Sequence, residues 1–316
     1  MSLHIYGTIV THHGTAANNR AETEGNITTL QKLLWFGRVH STVSAEAIRF
    51  ALRRRLTEAE KHGTNRRWDE DLRTNIWEDP TFESWVGKDG DTYIDDDLLG
   101  FMSAKAAGEE NGADAADDLG GKGKKSRAKG TTKVRRAVLE VTRAVSLTPF
   151  GGDVTFNAAS PGATPSAQKK GSNPVPYGTE VHATRYQYGF ALTPGRLRQP
   201  SRAAIAVQAL SELGEVAGNH GRFFYDFSPE SAVFRVTHDA APRLLYIFEE
   251  DGRGVKAPAL LARVQAGDLP GKELVIAGAF SQSPEARQMA ELGVTLEPGV
   301  RKAAVLVCAR IAAGGD

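Results

Sequence analysis

The run Leu3-His4-Ile5-Tyr6-Gly7-Thr8-Ile9-Val10 is short and rich in β-branched and aromatic side chains, and it reads as a strand. It stops at Thr11-His12-His13-Gly14-Thr15, and the polar stretch Ala16-Ala17-Asn18-Asn19-Arg20 follows. Ile27, Leu30, Leu33 and Leu34 then recur at helical spacing, which predicts a helix from Asn26 to about Phe36. Asn26 is its expected N-cap, since its side chain can accept from free first-turn amides. A second helix is expected after Ser44, running to about Lys61. Ile48, Ala51 and Leu52 form its apolar stripe, and Arg49, Arg53, Arg54 and Arg55 its basic flank.

Further along, residues 62 to 130 change character, with Trp68, Trp77 and Trp85 set among polar residues of weak periodicity. Residues 104 to 130 read as a mobile surface loop. Val134, Ala137, Leu139, Val141, Ala144, Val145 and Leu147 suggest one long strand, with or without a bulge. Phe150 to Gly178, rich in Gly, Pro, Ser and Asn, is a second excursion. Glu180 to Leu192 alternates like a strand, and Ser201 is expected to cap a helix carrying Ile205, Ala209, Leu213 and Val216. Ala232 to Val236 is a further strand. In the tail, Leu244–Phe248, Leu274–Ala279 and Ala303–Ile311 are expected as strands, and Pro258–Gln265 and Pro284–Leu292 as helices. With the two excursions removed, the order to residue 236 is strand, helix, strand, strand, helix, strand. That is the split βαβ, ferredoxin-like arrangement of an α+β fold, used also by RNA-recognition (RRM-like) domains.

Bulk properties narrow the function classes. The chain has 316 residues, 41% hydrophobic and 24% charged, which is the composition of a soluble globular protein. The net charge of +1 means that any grip on a polyanion comes from local patches. The one cysteine, Cys308, excludes an internal disulfide or a cysteine-rich zinc site and is expected in the core. No secretory pattern opens the chain and no apolar run has membrane-crossing length, so a cytoplasmic protein without a membrane partner is expected.

Four segments carry possible chemistry. In the turn Thr11–Arg20, Gly14 permits close backbone approach, and Asn18, Asn19 and Arg20 are donors suited to phosphate and sugar oxygens. An ordinary exposed loop would look the same. His12-His13 lacks the further ligands of a metal site. The basic set comprises Arg53, Arg54 and Arg55, then Lys122, Lys124, Lys125, Arg127, Lys129, Lys133, Arg135 and Arg136 with no acid among these eight. It suits phosphate neutralisation, although runs of like charge are usually just solvated. Gly218-Asn219-His220-Gly221-Arg222 reads equally as a backbone clamp or as a helix C-cap turn, and it lacks the ending of a nucleotide-hydrolase loop. Asp89 to Asp97 is acidic, but Tyr93 and Ile94 break calcium-loop spacing. Neither a metal nor a cofactor is expected, and no catalytic motif appears.

The string Gly7-Thr8-Ile9-Val10-Thr11-His12-His13-Gly14-Thr15-Ala16-Ala17-Asn18-Asn19-Arg20, continued by Glu24-Gly25-Asn26-Ile27-Thr28-Thr29-Leu30-Gln31-Lys32, resembles a known family. This is the DevR-type autoregulator branch of the repeated backbone subunits in type I CRISPR surveillance complexes (Cascade), with subtype I-B the nearest. Asp95-Asp96-Asp97-Leu98-Leu99-Gly100-Phe101-Met102, Arg143–Phe150 and the stretch from Gly218-Asn219-His220 to Phe227-Ser228-Pro229-Glu230 extend the resemblance to about residue 236. Leu99 departs from it, standing where the family often has an aromatic residue.

The resemblance implies a hand-shaped protein. Its palm would be 1–60, 131–149 and 180–242, its fingers 61–130, its thumb 150–179, and 243–316 a C-terminal α/β extension packed on the palm. Copies would stack head to tail along a guide crRNA, beside other Cascade subunits, and present the guide for pairing with target DNA, without catalysis. Asn18, Asn19, Arg20, Asn26, Thr28, Lys32, Asn219 and His220 would face the RNA. His13, Arg54, Lys124, Lys125, Arg127, Arg135, Arg185 and Arg222 complete the expected contacts. Two rival expectations are a metal-dependent ribonuclease using Glu22 or Glu24, and a DNA-binding autoregulator, for which no helix-turn-helix is evident.

Overall fold

Strand β1, His4–Thr11, is paired on both sides and buried on both faces. Ile5 and Ile9 enter one core, Tyr6 and Val10 the other. Gly7 crosses opposite Phe190, and a Cβ there would lie 2.2 Å from the phenylalanine ring, so only glycine fits. The structure is a computed structural model describing residues 1–17, 23–60, 62–86, 92–104, 132–161, 175–216, 224–252 and 254–314. The expected loop contacts at Asn18, Asn19, Arg20, Lys124, Lys125, Arg127, Asn219, His220 and Arg222, and Glu22, lie outside them.

After β2 (Gly14–Ala17), the chain makes β3 (Thr23–Glu24), β4 (Ile27–Thr28), β5 (Lys32–Trp35) and β6 (Arg38–Val43). The helix expected from Asn26 to Phe36 is therefore replaced by strands, and Asn26 is a turn residue rather than an N-cap. Gly25 and Gly37 at φ 62° and 75° make tight turns, and Lys32–Trp35 finds a strand partner in Arg38–Ser41. Helix α1 (Ala45–Thr57) begins as expected, with Ser44 Oγ accepting from the Ala47 amide at 3.2 Å. The insertion that follows holds β7 (Arg66–Asp69), β8 (Thr74–Trp77), α2 (Glu83–Val86), α3 (Ile94–Leu99), and the hairpin β9 (Phe101–Ala104) and β10 (Thr132–Arg135).

The expected long strand from Lys133 breaks into β10, β11 (Leu139–Val141) and β12 (Ala144–Ser146), because β10 pairs with β9 and the other two with a later strand. Next come β13 (Val154–Ala159), β14 (Val175–Thr184), β15 (Tyr186–Leu192), α4 (Arg202–Ser211) and β16 (Pro229–Thr237). The tail adds β17 (Glu249–Asp251), β18 (Gly254–Lys256), α5 (Pro258–Gln265), β19 (Leu274–Gly278), α6 (Pro284–Glu291), β20 (Thr295–Glu297) and α7 (Val300–Ala312). Two expectations fail here. Leu244–Phe248 is irregular, interrupted by Arg243 and Tyr246 at φ 57° and 54°. Ala303–Ile311 is helical, because Ala303, Ala304 and Val307 make a close-packing stripe against the core. Cys308 is half-buried beside that stripe.

The fold is mixed α+β. Nine strands form the main sheet in the order β20-β19-β16-β1-β15-β12-β6-β5, with β11 also on β15. Its central run, β16-β1-β15-β12, is antiparallel throughout. Helices α1, α4 and α7 share the core on one face, while Leu260 of α5 and Met289 of α6 share that on the other. A second sheet, β13-β14-β4-β3 with β2 on β14, grows from the same chain as β15. Among the described residues no helix is long and apolar enough to cross a membrane.

The insertion sends Ile94, Leu98 and Leu99 of α3 into the first core and adds aromatic and ionic contacts. Phe82 stacks on Phe101 at 3.9 Å, Trp77 meets Phe82 edge-on, and the Trp85 ring lies 4.2 Å and 3.8 Å from the guanidinium carbons of Arg135 and Arg198. The three aspartates of α3 are buried. Asp95 and Asp96 accept from the Asn65 amide and side chain at 2.7 and 2.9 Å. Asp97 accepts from Arg135 at 2.7 Å and Arg202 at 3.1 Å.

Candidate nucleic-acid interface

The β1–β2 connection meets Tyr225, which follows the glycine loop in the chain. The expected turn Thr11–Arg20 resolves into the end of β1, the exposed His12 and His13, and strand β2, so Asn18–Arg20 follow the far end of β2, where Ala17 pairs with Val181. The glycine loop ends next to Tyr225, which is 4% exposed. Tyr225 Oη lies 2.7 Å from Thr11 Oγ1 and 3.0 Å from the carbonyl oxygens of both His12 and Thr184, which share its one proton as acceptors. Its ring lies against Gly14, where a Cβ would be 3.3 Å away. One tyrosine thus joins the β1–β2 connection to the β14–β15 junction. Burial pushes its hydroxyl far above the usual phenol range, so it stays a neutral hydrogen-bonding group. Nothing in the sequence singled this residue out, since its partners lie 41 to 214 residues away.

The other described contact residues spread outward from this junction. Asn26 is exposed at the β3–β4 turn, and its carbonyl accepts from the Gly178 amide at 2.9 Å. Thr28, half-buried in β4, pairs with Thr179 of β14. Lys32 donates to both Glu180 oxygens at 2.6 and 2.8 Å and sits 5.1 Å from the Phe150 ring. Arg54 is exposed, 3.6 Å from Glu215, and lines a cleft of about 820 Å³ with Tyr225 and the exposed Phe224.

Two expected contacts face inward. Arg185, at the bend between β14 and β15, is 5% exposed and binds Glu230 at 2.5 Å and Glu250 at 2.7 Å. Burial works against its charge, but these carboxylates outweigh it and hold its pKa above the usual arginine range. Arg135 is bound by Asp97 and stacked on Trp85. Nearby, Ser41 Oγ lies 2.6 Å from His182 Nδ1 and 2.7 Å from Tyr186 Oη, tying the second sheet to the first. Burial lowers the His182 pKa, favouring the neutral ring. Among the described residues, no group of three His, Cys, Asp or Glu side chains could hold a metal ion.

The family described as CRISPR-associated negative auto-regulator DevR/Csa2 matches residues 10–209. A curated relative, CRISPR-associated protein Cas7/Cst2/DevR of Myxococcus xanthus (strain DK1622), is 60% identical over 315 residues, 98% of either chain. The chain belongs to the DevR/Csa2 family. Its fold is similar to two solved chains described as a CRISPR RNA-guided surveillance complex and as such a complex in a pre-nicking state. The TM-scores are 0.53 and 0.54, each at 12% identity, covering 96% and 98% of this chain and 98% and 99% of those chains. At that identity the likeness is one of backbone architecture. The Tyr225 junction is thus a feature of this DevR/Csa2 chain lying between segments inside and beyond residues 10–209.

Proposed function

We propose that this protein is the repeated backbone subunit of a type I CRISPR surveillance complex. Copies assemble head to tail along crRNA, beside other subunits, and offer the guide for pairing with target DNA in the cytoplasm. The observation that carries this reading is the 60% identity, along nearly the full length, to a Cas7/Cst2/DevR protein. The fold likeness to chains of RNA-guided surveillance complexes supports it.

In this reading the antiparallel run β16-β1-β15-β12 with α1 and α4 is a ferredoxin-like palm. The insertion at 61–130 forms fingers, 150–179 a thumb built on β13 and β14, and 243–316 an extension adding strands to the palm sheet. The segment Asn18–Arg20 after β2 and the glycine loop before Tyr225 lie along the sugar–phosphate thread, with Tyr225 bracing the β1–β2 connection beside them. His13, Asn26, Thr28, Lys32 and Arg54 flank them. Contacts to phosphate and ribose fix register without reading sequence, and base pairing supplies specificity. A head-to-tail interface propagates as an open helix. The subunit's work is positioning, and it breaks no bond.

The test is co-expression with a guide-encoding array. The particle is expected to carry RNA protected from added ribonuclease, and protein made without guide is expected to remain short oligomers. Naked, fully digestible RNA would defeat the reading. Incubating the particle with magnesium and complementary RNA addresses the ribonuclease alternative, which regularly spaced cuts lost on Glu24→Ala or Glu22→Ala would support.

A further inference from the structure

Strands β14 and β15 are one run of chain that leaves the second sheet for the main sheet at Arg185. Ser41 of β6 reaches both sides of that bend. Its Oγ lies 2.6 Å from Nδ1 of His182, before the bend, and 2.7 Å from Oη of Tyr186, after it. The three residues are sealed, at 0%, 4% and 1% exposed. On the far side of the imidazole, Nε2 lies 3.2 Å from Thr148 Oγ1. Thr148 donates to Thr184 Oγ1 at 2.8 Å, and Thr184 donates to the Arg185 carbonyl at 3.1 Å.

These bonds run in one direction. The Thr148 hydroxyl proton is committed to Thr184, so Thr148 accepts from Nε2–H, and the Pro149 carbonyl also accepts from the ring. Nδ1 is then bare and accepts from Ser41, whose oxygen accepts from Tyr186. The chain passes from Tyr186 through Ser41, His182, Thr148 and Thr184 to the Arg185 carbonyl, beginning and ending at the bend, and every proton has an acceptor. A proton added at Nδ1 reverses its first half. Nδ1–H must donate to Ser41, and Ser41 must turn its proton to Tyr186. Ser41 is the one hydrogen-bond partner of the Tyr186 hydroxyl among the described residues, so that phenol proton is left buried and unpaired, which is costly.

Groups around the imidazole pull both ways. His40 of β6 and His13 after β1 oppose a charge on it, and Asp153 ahead of β13 favours one. Glu180, on the same face of β14, is bound by Lys32 of β5. Tyr186, from β15, stays a neutral phenol because burial pushes its pKa up to about 12. Burial of the ring dominates and keeps His182 neutral at neutral pH. We propose that Ser41 and His182 form a proton-sensitive pin that sets the angle of the β13–β14 pair to the main sheet, closed while the ring is neutral and opened when it takes a proton. In the proposed assembly, on whose reading this consequence rests, that pair is the thumb, and head-to-tail growth becomes sensitive to acid. The folded-state pKa lies below the ordinary histidine value of about 6.5. The tightening is therefore whole above that pH and is lost as pH falls through the folded value.

Hydrogen–deuterium exchange on the guide-free full chain tests the pin, in steps from about pH 7.5 to about pH 5 with rates corrected for intrinsic exchange. Wild-type amides of β13 and β14 are expected to exchange at least about tenfold faster at the acid end, while those of β1 and β16 hold. His182→Asn keeps an acceptor for Ser41 but cannot charge, and it should abolish the step. His13→Asn should keep it. Ser41→Ala cuts the chain and should exchange fast at every pH. Protected β1 and β16 show that a variant is folded, and if His182→Asn is not, Ser41→Ala decides: a flat, fast profile supports the pin and a wild-type step overturns it. A wild type without the acid step, or a step that survives in His182→Asn, also overturns it. Guide-loaded particles sedimented at about pH 7.5 and about pH 5.5 test the consequence for assembly. Wild type should shorten in acid and His182→Asn should keep its length, and equal lengths refute acid-sensitive growth. If wild type takes up no guide at all, the proposed function has failed, while the exchange result still decides the pin.

Discussion

Asp96 is a carboxyl almost out of reach of water, 2% exposed on α3 beside a second buried aspartate. Burial, and then the charge of Asp95, push its pKa up to about 7. The unfolded value is about 3.9, so between the two the native state holds a proton that the unfolded chain has released. The stability this provides is whole below about pH 4 and is lost as pH rises through about 7. Asp96→Asn cannot ionise and still offers an oxygen to Asn65. Its urea midpoint is expected to fall less than the wild-type midpoint between about pH 5 and about pH 8, and parallel curves would refute the assignment. The sequence displayed these acids but not their role. Asp97 meets arginines 38 and 105 residues downstream, and Arg185 meets glutamates 45 and 65 residues downstream. Neighbours so remote leave no local spacing to read, which is why Arg185 looked available for RNA.

At the scale of elements, β1, α1, α4 and β16 were legible because burial imposes a clear period on each. The reading failed where two periods compete. Ile27, Leu30, Leu33 and Leu34 fit a helix, but the deciding features are Gly25, Gly37 and a pairing edge on β6. In α7 the β-branched residues suggested a strand, whereas the small alanines that admit close packing decided for a helix. The candidate site was half legible for a similar reason. The loops announced themselves by composition, but the tyrosine that braces the β1–β2 connection against β14 is visible only in three dimensions. The β5–β6 turn carries its own prediction. Phe36 and Gly37 form a two-residue loop with both φ positive, and Phe36, at 47° with its ring 92% exposed, is a costly choice there. Phe36→Asn is expected to stabilise the chain by about 1 kcal/mol in urea unfolding. An unchanged midpoint would show that the turn holds no such strain.

For the molecule as a whole, one sheet runs from β20 to β5, so the tail and the central strands share hydrogen bonds and two cores. Among its described residues, the insertion joins the first core only through Ile94, Leu98 and Leu99 of α3, and Asp97 ties it further to Arg202 of α4. All four tryptophans, at 35, 68, 77 and 85, lie outside both cores. Ultraviolet emission is therefore a lamp fixed to the periphery, while far-ultraviolet dichroism watches the sheet. With the aspartate turn intact, both signals should fade at the same urea concentration. In Asp97→Ala the emission should shift first, as the insertion loosens from a main sheet that still holds.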